Sequence, residues 1–400
     1  MRVSTSQIYQ LGTRSIMDGQ SELYKTQNQL GTKRRILTPK DDPVASAQIL
    51  LDTQARGVIS QYVDNQADAN SQLALEESQI KSVVDALQYI RAQVIAGGNA
   101  SYTDSQRAYI ASDLQSQFDH LLGVANSQDA SGQYLFSGFQ GQTKPFQLQA
   151  DGSVNYLGDN GQRLMQVSAS RQIPVSDTGY AVFLNNPTGN GTFSTTGAAA
   201  NTGSGVIGSG TVSSPQAWPG GNYQLQFTSG NSYDLIQMPA TNMGSFTYVP
   251  GAAITAIPGA SFTITGTPAA GDAFDIKSST NQSVFETLQS LISTFSSATT
   301  GNPAATATAW NGINAGLENL DQVLTTVSAM QASIGSRMNE LSALSSAASD
   351  SDLNYQERIS DMQDIDYAEA ISRFSSQQVQ LQAAQQSFAK IMGLSLFNYI

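Results

Sequence analysis

Two heptad stripes that lie far apart in the chain constrain its fold more than any other feature. From Ile59 to Val94, eleven positions are spaced alternately by three and four residues, and nine of them are apolar. This spacing predicts one long helix that packs along a single stripe. Gln66 and Glu76 are the two polar interruptions of the stripe.

The ends of this helix are marked by residues that begin and stop helices. Asp42 is suited to cap the helix and Pro43 to occupy its first position, while two glycines follow Ala96. A helix from Pro43 to Ala96 would be about 80 Å long at 1.5 Å per residue. Thr103 and Gln106 have the spacing of a capping box, so we expect a second helix that folds back along the first.

The second stripe runs from Ile313 to Leu341 with the same alternating spacing and carries Gln331 in its seam. Two long stripes of one period are most easily buried against each other. An ordinary helical bundle with an inserted domain is equally compatible with this spacing. The predicted core of the helical rod comprises Ile59, Leu73, Ile80, Val83, Leu87, Ile90, Val94, Ile313, Leu317, Leu320, Leu324, Val327, Ile334, Met338 and Leu341.

The middle of the chain has a different composition from its flanks. Residues 131–283 hold 22 of the 34 glycines and 9 of the 12 prolines, but only 10 of the 50 charged residues. Short apolar runs at Tyr223 to Phe227, Phe246 to Val249 and Phe262 to Ile264 alternate with turn residues, which is typical of β-hairpins. We therefore predict an α+β fold: a long antiparallel helical bundle or coiled coil built from both chain ends, with an inserted β-rich middle domain.

Composition excludes several classes of function. The chain has no cysteine and one histidine, His120, which argues against thiol catalysis, disulfides and Cys/His metal centres. A net charge of −12 disfavours binding to nucleic acid, and no apolar run is long enough for insertion into a membrane. The spacing of Gly203, Gly205 and Gly208 imitates a dinucleotide-binding motif, but poor helix formers follow it. We predict no enzymatic activity, no cofactor and no metal.

Both termini continue the helical spacing with few charges. Ile16, Leu23 and Leu30 lie seven apart, and after Arg373 only Lys390 is charged in the last 27 residues. A helix with so little charge is expected to be buried on several faces by other helices. One interpretation is that the termini are unpaired and weakly folded in a single chain and become ordered when copies pack together. The other interpretation, equally compatible with the spacing, is that they cap the chain's own bundle.

Four segments resemble the bacterial flagellin-like family, and most closely its hook-associated junction proteins. The opening residues 1–10 (MRVSTSQIYQ) are similar to the family's amino terminus, and residues 30–48 to its loop before the long helix. Residues 131–146 resemble the passage into the family's outer domain. The closing GLSLFNYI, residues 393–400, is the most specific similarity.

This resemblance implies a structural protein of the bacterial flagellum that joins the hook to the filament. The implied partners are hook-associated protein 1, flagellin, further copies of the chain in a ring, and an export chaperone at the carboxy-terminal helix. The implied location is extracellular, after type III export without a cleaved signal peptide. The implied segments are 1–42 and 355–400 as an inner tube, 43–138 and 284–354 as the helical rod, and 139–283 as the outer domain.

The predicted assembly surface combines the terminal heptads with the chain ends. It comprises Val3, Ile8, Leu11, Ile16, Leu23, Leu30, Ile371, Phe374, Leu381, Phe388, Met392, Leu396, Phe397 and Tyr399.

Three alternative functions remain open from the sequence. A flagellin that builds the filament belongs to the same class, but flagellins usually have a different ending. Hook-associated protein 1 would be expected to have a longer chain. A secreted adhesin or enzyme would work through its middle domain, although no spacing of the acids there recommends paired-carboxylate catalysis.

Overall fold

The computed structural model describes residues 5–99 and 102–393. In this part of the chain, long helices from both ends flank a middle of short strands, which confirms the predicted α+β class. The helices are α1 (Thr5–Thr32), α2 (Pro43–Gly97), α3 (Asp104–Ala125), α4 (Val284–Ser296), α5 (Pro303–Gln363) and α6 (Tyr367–Gly393).

The predicted starts of α2 and α3 are confirmed. The Asp42 carboxylate accepts a hydrogen bond of 3.0 Å from the backbone N–H of Ala45. At the start of α3, Thr103 and Gln106 form a capping box in which each side chain accepts from the other residue's backbone N–H. α2 ends at Gly97, one residue beyond the predicted end. The short helix α4 was not predicted as a separate element.

The described chain divides into two compact units. The first unit comprises residues 1–64 and 343–400, and the second comprises residues 65–342. α2 and α5 contribute residues to both units. The predicted segment boundary between residues 354 and 355 falls inside α5, which continues to Gln363.

In the first unit, α2 and α5 run antiparallel and are joined by two ion pairs. Arg56 Nε lies 2.8 Å from Asp352 Oδ1, and Arg358 Nη2 lies 3.1 Å from Asp52 Oδ1. Asp52 is buried, whereas the guanidinium that pairs with it is half exposed. In this stretch of the helix pair, the charge of each carboxylate is neutralised by a guanidinium on the other helix.

In the second unit, α2 packs against both α3 and α5. The hydroxyl of Tyr89 donates to Asp113 across the α2–α3 contact at 2.9 Å, and Ser82 lies 3.3 Å from His120. Because the residue number rises on α2 as it falls on α3, the two helices are antiparallel, as predicted. Arg91 pairs with Asp321 on α5 at 2.6 Å.

The predicted rod positions are mostly buried. Eleven of the fifteen have side chains in the core, and the other four are half-buried. Those four are Ile59, Leu317, Leu324 and Met338.

The middle region consists of antiparallel β-structure. Its largest sheet has five strands in the order β11-β10-β9-β14-β6, and a second has the order β12-β13-β7 with β8 also paired to β13. The remaining strands form three two-stranded pairs, β1-β2, β3-β4 and β5-β15. The strands are β1 (Phe146–Leu148), β2 (Val154–Tyr156), β3 (Leu164–Ser168), β4 (Arg171–Pro174), β5 (Asn186–Pro187), β6 (Phe193–Gly197), β7 (Val206–Ile207), β8 (Thr211–Val212), β9 (Asn222–Ser229), β10 (Ser232–Gln237), β11 (Thr241–Thr247), β12 (Ala253–Ile254), β13 (Ala260–Thr265), β14 (Ala273–Ser278) and β15 (Asn281–Gln282).

A core rich in aromatic side chains holds the two larger sheets together. Leu225 and Phe227 on β9 and Phe274 on β14 are buried in one cluster with Phe262 and Ile264 on β13 of the second sheet. The ring of Phe227 meets that of Phe274 edge-on, with centroids 5.7 Å apart. Such contacts stabilise by about 0.5–1.5 kcal/mol beyond the area they bury. Of the described helices, none is long and apolar enough to cross a membrane.

Candidate assembly surface

The two terminal helices pack against each other within one chain. Phe388 on α6 lies over Gly12 on α1, where an added Cβ would come 2.5 Å from the ring. The rings of Tyr9 and Phe388 meet edge-on with centroids 5.8 Å apart, and Gly19 lies opposite Leu381. The expectation that the termini are unpaired in a single chain is therefore wrong, because glycines on α1 leave room for the apolar side chains of α6.

Six of the predicted assembly residues are half-buried. They repeat every seven residues on each helix, which is the spacing that lets two helices meet along one stripe. Their role in contacts between copies stays a prediction. The six are Ile16, Leu23, Leu30, Phe374, Leu381 and Phe388.

Hydrogen bonds join the segment that follows α1 to the segment that precedes α6. The backbone N–H of Arg35 donates to the carbonyl of Gln363 at 2.7 Å, and that of Ile365 donates to Lys33 at 3.2 Å. The Arg35 guanidinium adds a 2.8 Å bond to the carbonyl of Met362. Lys33 and Arg35, which belong to a run of three basic residues, thus form contacts within the chain.

Asp41 fixes the loop between α1 and α2. Its carboxylate lies 2.8 Å from Lys25 Nζ and accepts from the backbone N–H groups of Thr38 and Leu37 at 2.9 and 3.1 Å. The ammonium of Lys25 and these donors hold the pKa of Asp41 well below its ordinary value. The loop is thereby shaped by local charge-assisted hydrogen bonds.

Several apolar side chains of the paired helices are exposed among polar ones. Of the predicted assembly residues, Leu11 is 66% exposed and Ile371 is 53% exposed. These side chains are available for contact with another chain. Further exposed apolar side chains on these helices are not among the predicted assembly residues. They are Tyr9, Met17, Tyr24, Tyr367, Val379 and Ile391. Tyr9 and Tyr367 continue the two heptads, and the other four lie outside them.

The remaining predicted assembly residues cannot be placed on this surface. Val3, Leu396, Phe397 and Tyr399 lie outside the described residues, as do the side chains of Ile8 and Met392.

A buried cluster of titratable side chains lies in the second unit. Glu76 on α2 accepts a 2.7 Å bond from the backbone N–H of Asp177, whose carboxylate pairs with Arg337 on α5. Arg337 also donates to the carbonyl of Pro174 at 3.0 Å. Burial and the neighbouring Asp177 raise the pKa of Glu76 to about 8.

Gln66, the other polar interruption of the α2 stripe, donates to the carbonyl of Val167 on β3 at 2.7 Å. Together with Glu76 it attaches the residues of the β3-β4 hairpin and the loop after it to α2. Both polar interruptions therefore serve contacts with the middle region. In the described residues, no group of three or more histidine, aspartate or glutamate side chains is arranged to hold a metal ion.

Comparison with known proteins agrees with this architecture at both ends of the chain. Residues 3–141 match the family model of the bacterial flagellin N-terminal helical region, and residues 317–400 match that of the C-terminal helical region. The chain is 28% identical over 399 residues to flagellar hook-associated protein 3 of Escherichia coli strain K12, covering 100% of this chain and 99% of that protein.

Solved structures extend the similarity to the fold. The flagellar junction protein FlgL of Legionella pneumophila is 31% identical with a TM-score of 0.73, over 79% of this chain and 100% of that one. FlgL of Xanthomonas campestris is 26% identical with a TM-score of 0.72, over 77% of this chain and 99% of that one. The chain belongs to the flagellar hook-associated protein 3 (FlgL) family of flagellin-like proteins.

Proposed function

We propose that this protein is a structural subunit of the bacterial flagellum that joins the hook to the flagellin filament. The observation that carries the proposal is the pair of terminal helices, which cover one stripe of each other and leave apolar side chains exposed on their outer faces. Copies of the chain packing around these faces would bury them, and the gain would offset the cost of ordering the subunits.

The proposal includes a specific set of partners. Copies of the chain form a ring, with hook-associated protein 1 on the hook side and flagellin on the filament side. Before assembly, the charge-poor α6 is the binding site of an export chaperone, and the chain leaves the cell by type III export. Residues 1–42 and 355–400 form the inner tube, 43–138 and 284–354 the helical rod, and 139–283 the outer surface.

Deletion and complementation of the gene test the junction function. Cells that lack the protein should keep their hooks and release flagellin into the medium, and they should regain attached filaments when the natural chain is supplied. Long filaments made by the purified protein alone would instead indicate a flagellin. Normal motility of the deletion strain with reduced adherence to surfaces would indicate an adhesin.

Variants of the α6 seam test whether assembly depends on the terminal helices. Changing Leu381 or Phe388 to aspartate should abolish ring assembly, while the middle domain keeps its circular dichroism and near-ultraviolet signals. Unimpaired assembly of both variants would contradict the proposal.

A further inference from the structure

We propose that the first unit carries a head-to-tail contact between copies of this chain, in which an apolar stripe on α2 of one copy lies in the groove between α2 and α5 of the next. This inference rests on the proposed function, since it requires copies that stand side by side. It concerns a surface distinct from the outer faces of α1 and α6.

The stripe consists of three apolar side chains at seven-residue intervals. Val44 is 82% exposed, Leu51 is 58% exposed and Val58 is 48% exposed. At 1.5 Å per residue they are about 10.5 Å apart along one side of the helix. Such a row on a helix normally faces a partner helix, yet in the first unit it is open to solvent.

The face that carries the stripe has no charge. Between Val44 and Tyr62 the only charged residues are Asp52 and Arg56, and both are engaged in ion pairs with α5. The whole chain has a net charge of −12, so two copies repel each other at a distance. Close contact between them is therefore most favourable through an uncharged face, which makes a second copy a suitable occupant.

The groove has a volume of about 660 Å³. Gly57 leaves it open, because no atom lies within 4 Å of where a Cβ would stand. The ion pair between Arg56 and Asp352 neutralises the charges at its wall. Other lining residues are small or apolar: Thr53, Ser60 and Val63 on α2, and Ser349 and Leu353 on α5.

The groove and the stripe have the same repeat. Two small lining residues, Thr53 and Ser60, lie seven residues apart, as do Leu51 and Val58, so the groove offers space at the spacing of the stripe. This is the arrangement by which a third helix packs onto a helix pair. The fit commits the occupant to α2 of a second copy.

The two surfaces lie on opposite sides of α2. Leu51 and Ser60 are nine residues apart, which is about two and a half turns at 3.6 residues per turn. A contact between two different surfaces of one molecule is heterologous and leaves each new copy with a free stripe or groove. It therefore generates rings or helical arrays, whereas a symmetric dimer would use only one of the surfaces.

Cysteine cross-linking tests the contact, because the natural chain has no cysteine of its own. Leu51→Cys or Val58→Cys is combined with Thr53→Cys or Ser60→Cys in the full chain, giving four double variants. Each is produced in cells without the natural gene, and isolated flagella are treated with a short thiol-specific cross-linker. We expect at least one double variant to give a ladder that extends beyond dimers, and the single variants to give none.

If none of the four double variants gives a ladder, the inference is overturned, and this holds also when the cells keep attached filaments. Single variants that form dimers as efficiently as the double ones form oligomers would also overturn it, since they indicate a symmetric contact. Loss of attached filaments in the deletion strain, restored by the natural chain, supports the junction function independently of either result.

Filling the groove provides a second test. Gly57→Leu should leave the melting temperature of the purified protein unchanged or raised, since the position is open, and should reduce attached filaments at least tenfold. Gly335→Leu is the matched control, because Gly335 on α5 also has no atom within 4 Å of an added Cβ. Equal numbers of filaments with both variants would count against the contact.

Discussion

At the scale of single residues, burial of Glu76 couples the stability of the second unit to pH. Its carboxyl group has a pKa raised to about 8, first by burial and then by the neighbouring Asp177. The same group would titrate near about 4.3 in an unfolded chain. The stabilising contribution of Glu76 is therefore complete below about pH 4 and is lost as the pH rises through about 8.

Glu76→Gln should remove this dependence, because the amide stays neutral while its oxygen still accepts from Asp177. We expect the free energy of unfolding of the variant, relative to the natural chain, to rise by about 4 kcal/mol between pH 5 and pH 9. Urea unfolding at both pH values measures the effect, with Glu357→Gln on the exposed surface of α5 as the control. A difference that stays constant with pH would contradict this role of Glu76.

Arg337 and Asp177 form a buried ion pair whose side chains are only 10% and 7% exposed. Arg337→Leu leaves the Asp177 carboxylate buried without its partner, so we expect a loss of about 3–5 kcal/mol in the free energy of unfolding. Adding Asp177→Asn should recover part of the loss. The matched control is Arg91→Leu, whose partner Asp321 is half exposed and whose removal should cost about 0–1 kcal/mol. Equal losses in thermal unfolding would refute the distinction.

At the scale of elements, periodicity predicted the long helices but not all their neighbours. The heptad spacing and the capping residues predicted both ends of α2 to within one residue. They could do so because a helix that packs along one stripe carries apolar residues at regular intervals in its own sequence. Gln66 and Glu76 could only be read as interruptions, since each bonds to a group 101 residues away. The pairing of β9 with β14 was equally hidden, because turn residues predict hairpins but not contacts between distant strands.

The pairing of α1 with α6 illustrates the same limit. Two charge-poor heptads of equal period fit each other in one chain as well as they fit other copies. The contact between α1 and α6 within one chain depends on Gly12, which leaves the space that the Phe388 ring occupies. That space is visible only when the two helices are seen together.

Gly12→Leu should therefore separate α1 from α6. An added side chain meets the ring of Phe388, and overpacking of this kind costs about 1–3 kcal/mol. We expect amide hydrogens of both helices to exchange about fivefold or more faster in the variant, as judged by mass spectrometry of the monomer. Gly31→Leu on the same helix is the control, because nothing lies within 4 Å of its Cβ position. Equal protection in both variants would show that the close contact at Gly12 is not needed.

At the scale of the whole molecule, stability and assembly draw on different residues. The buried positions of α2, α5 and the β-sheets stabilise a single chain, whereas the exposed side chains of α1 and α6 contribute little to it. A charge placed on an exposed apolar residue of α6 should therefore act on the assembled state alone. An effect on assembly without an effect on the stability of the monomer is what the proposed junction function predicts, and both can be measured.

Val379→Asp provides that test, since Val379 is 65% exposed on α6. In a monomer the new carboxylate stays in water, and the melting temperature should change by no more than about 2 °C. In a ring the same carboxylate would be buried at an apolar contact without a partner, so attachment of filaments should be lost. Leu164→Asp is the matched control: it adds the same charge at a residue of β3 that is 58% exposed. Cells that carry the control should keep their filaments, and equal loss of filaments with both variants would mean that added charge, rather than its place on the terminal helices, prevents assembly.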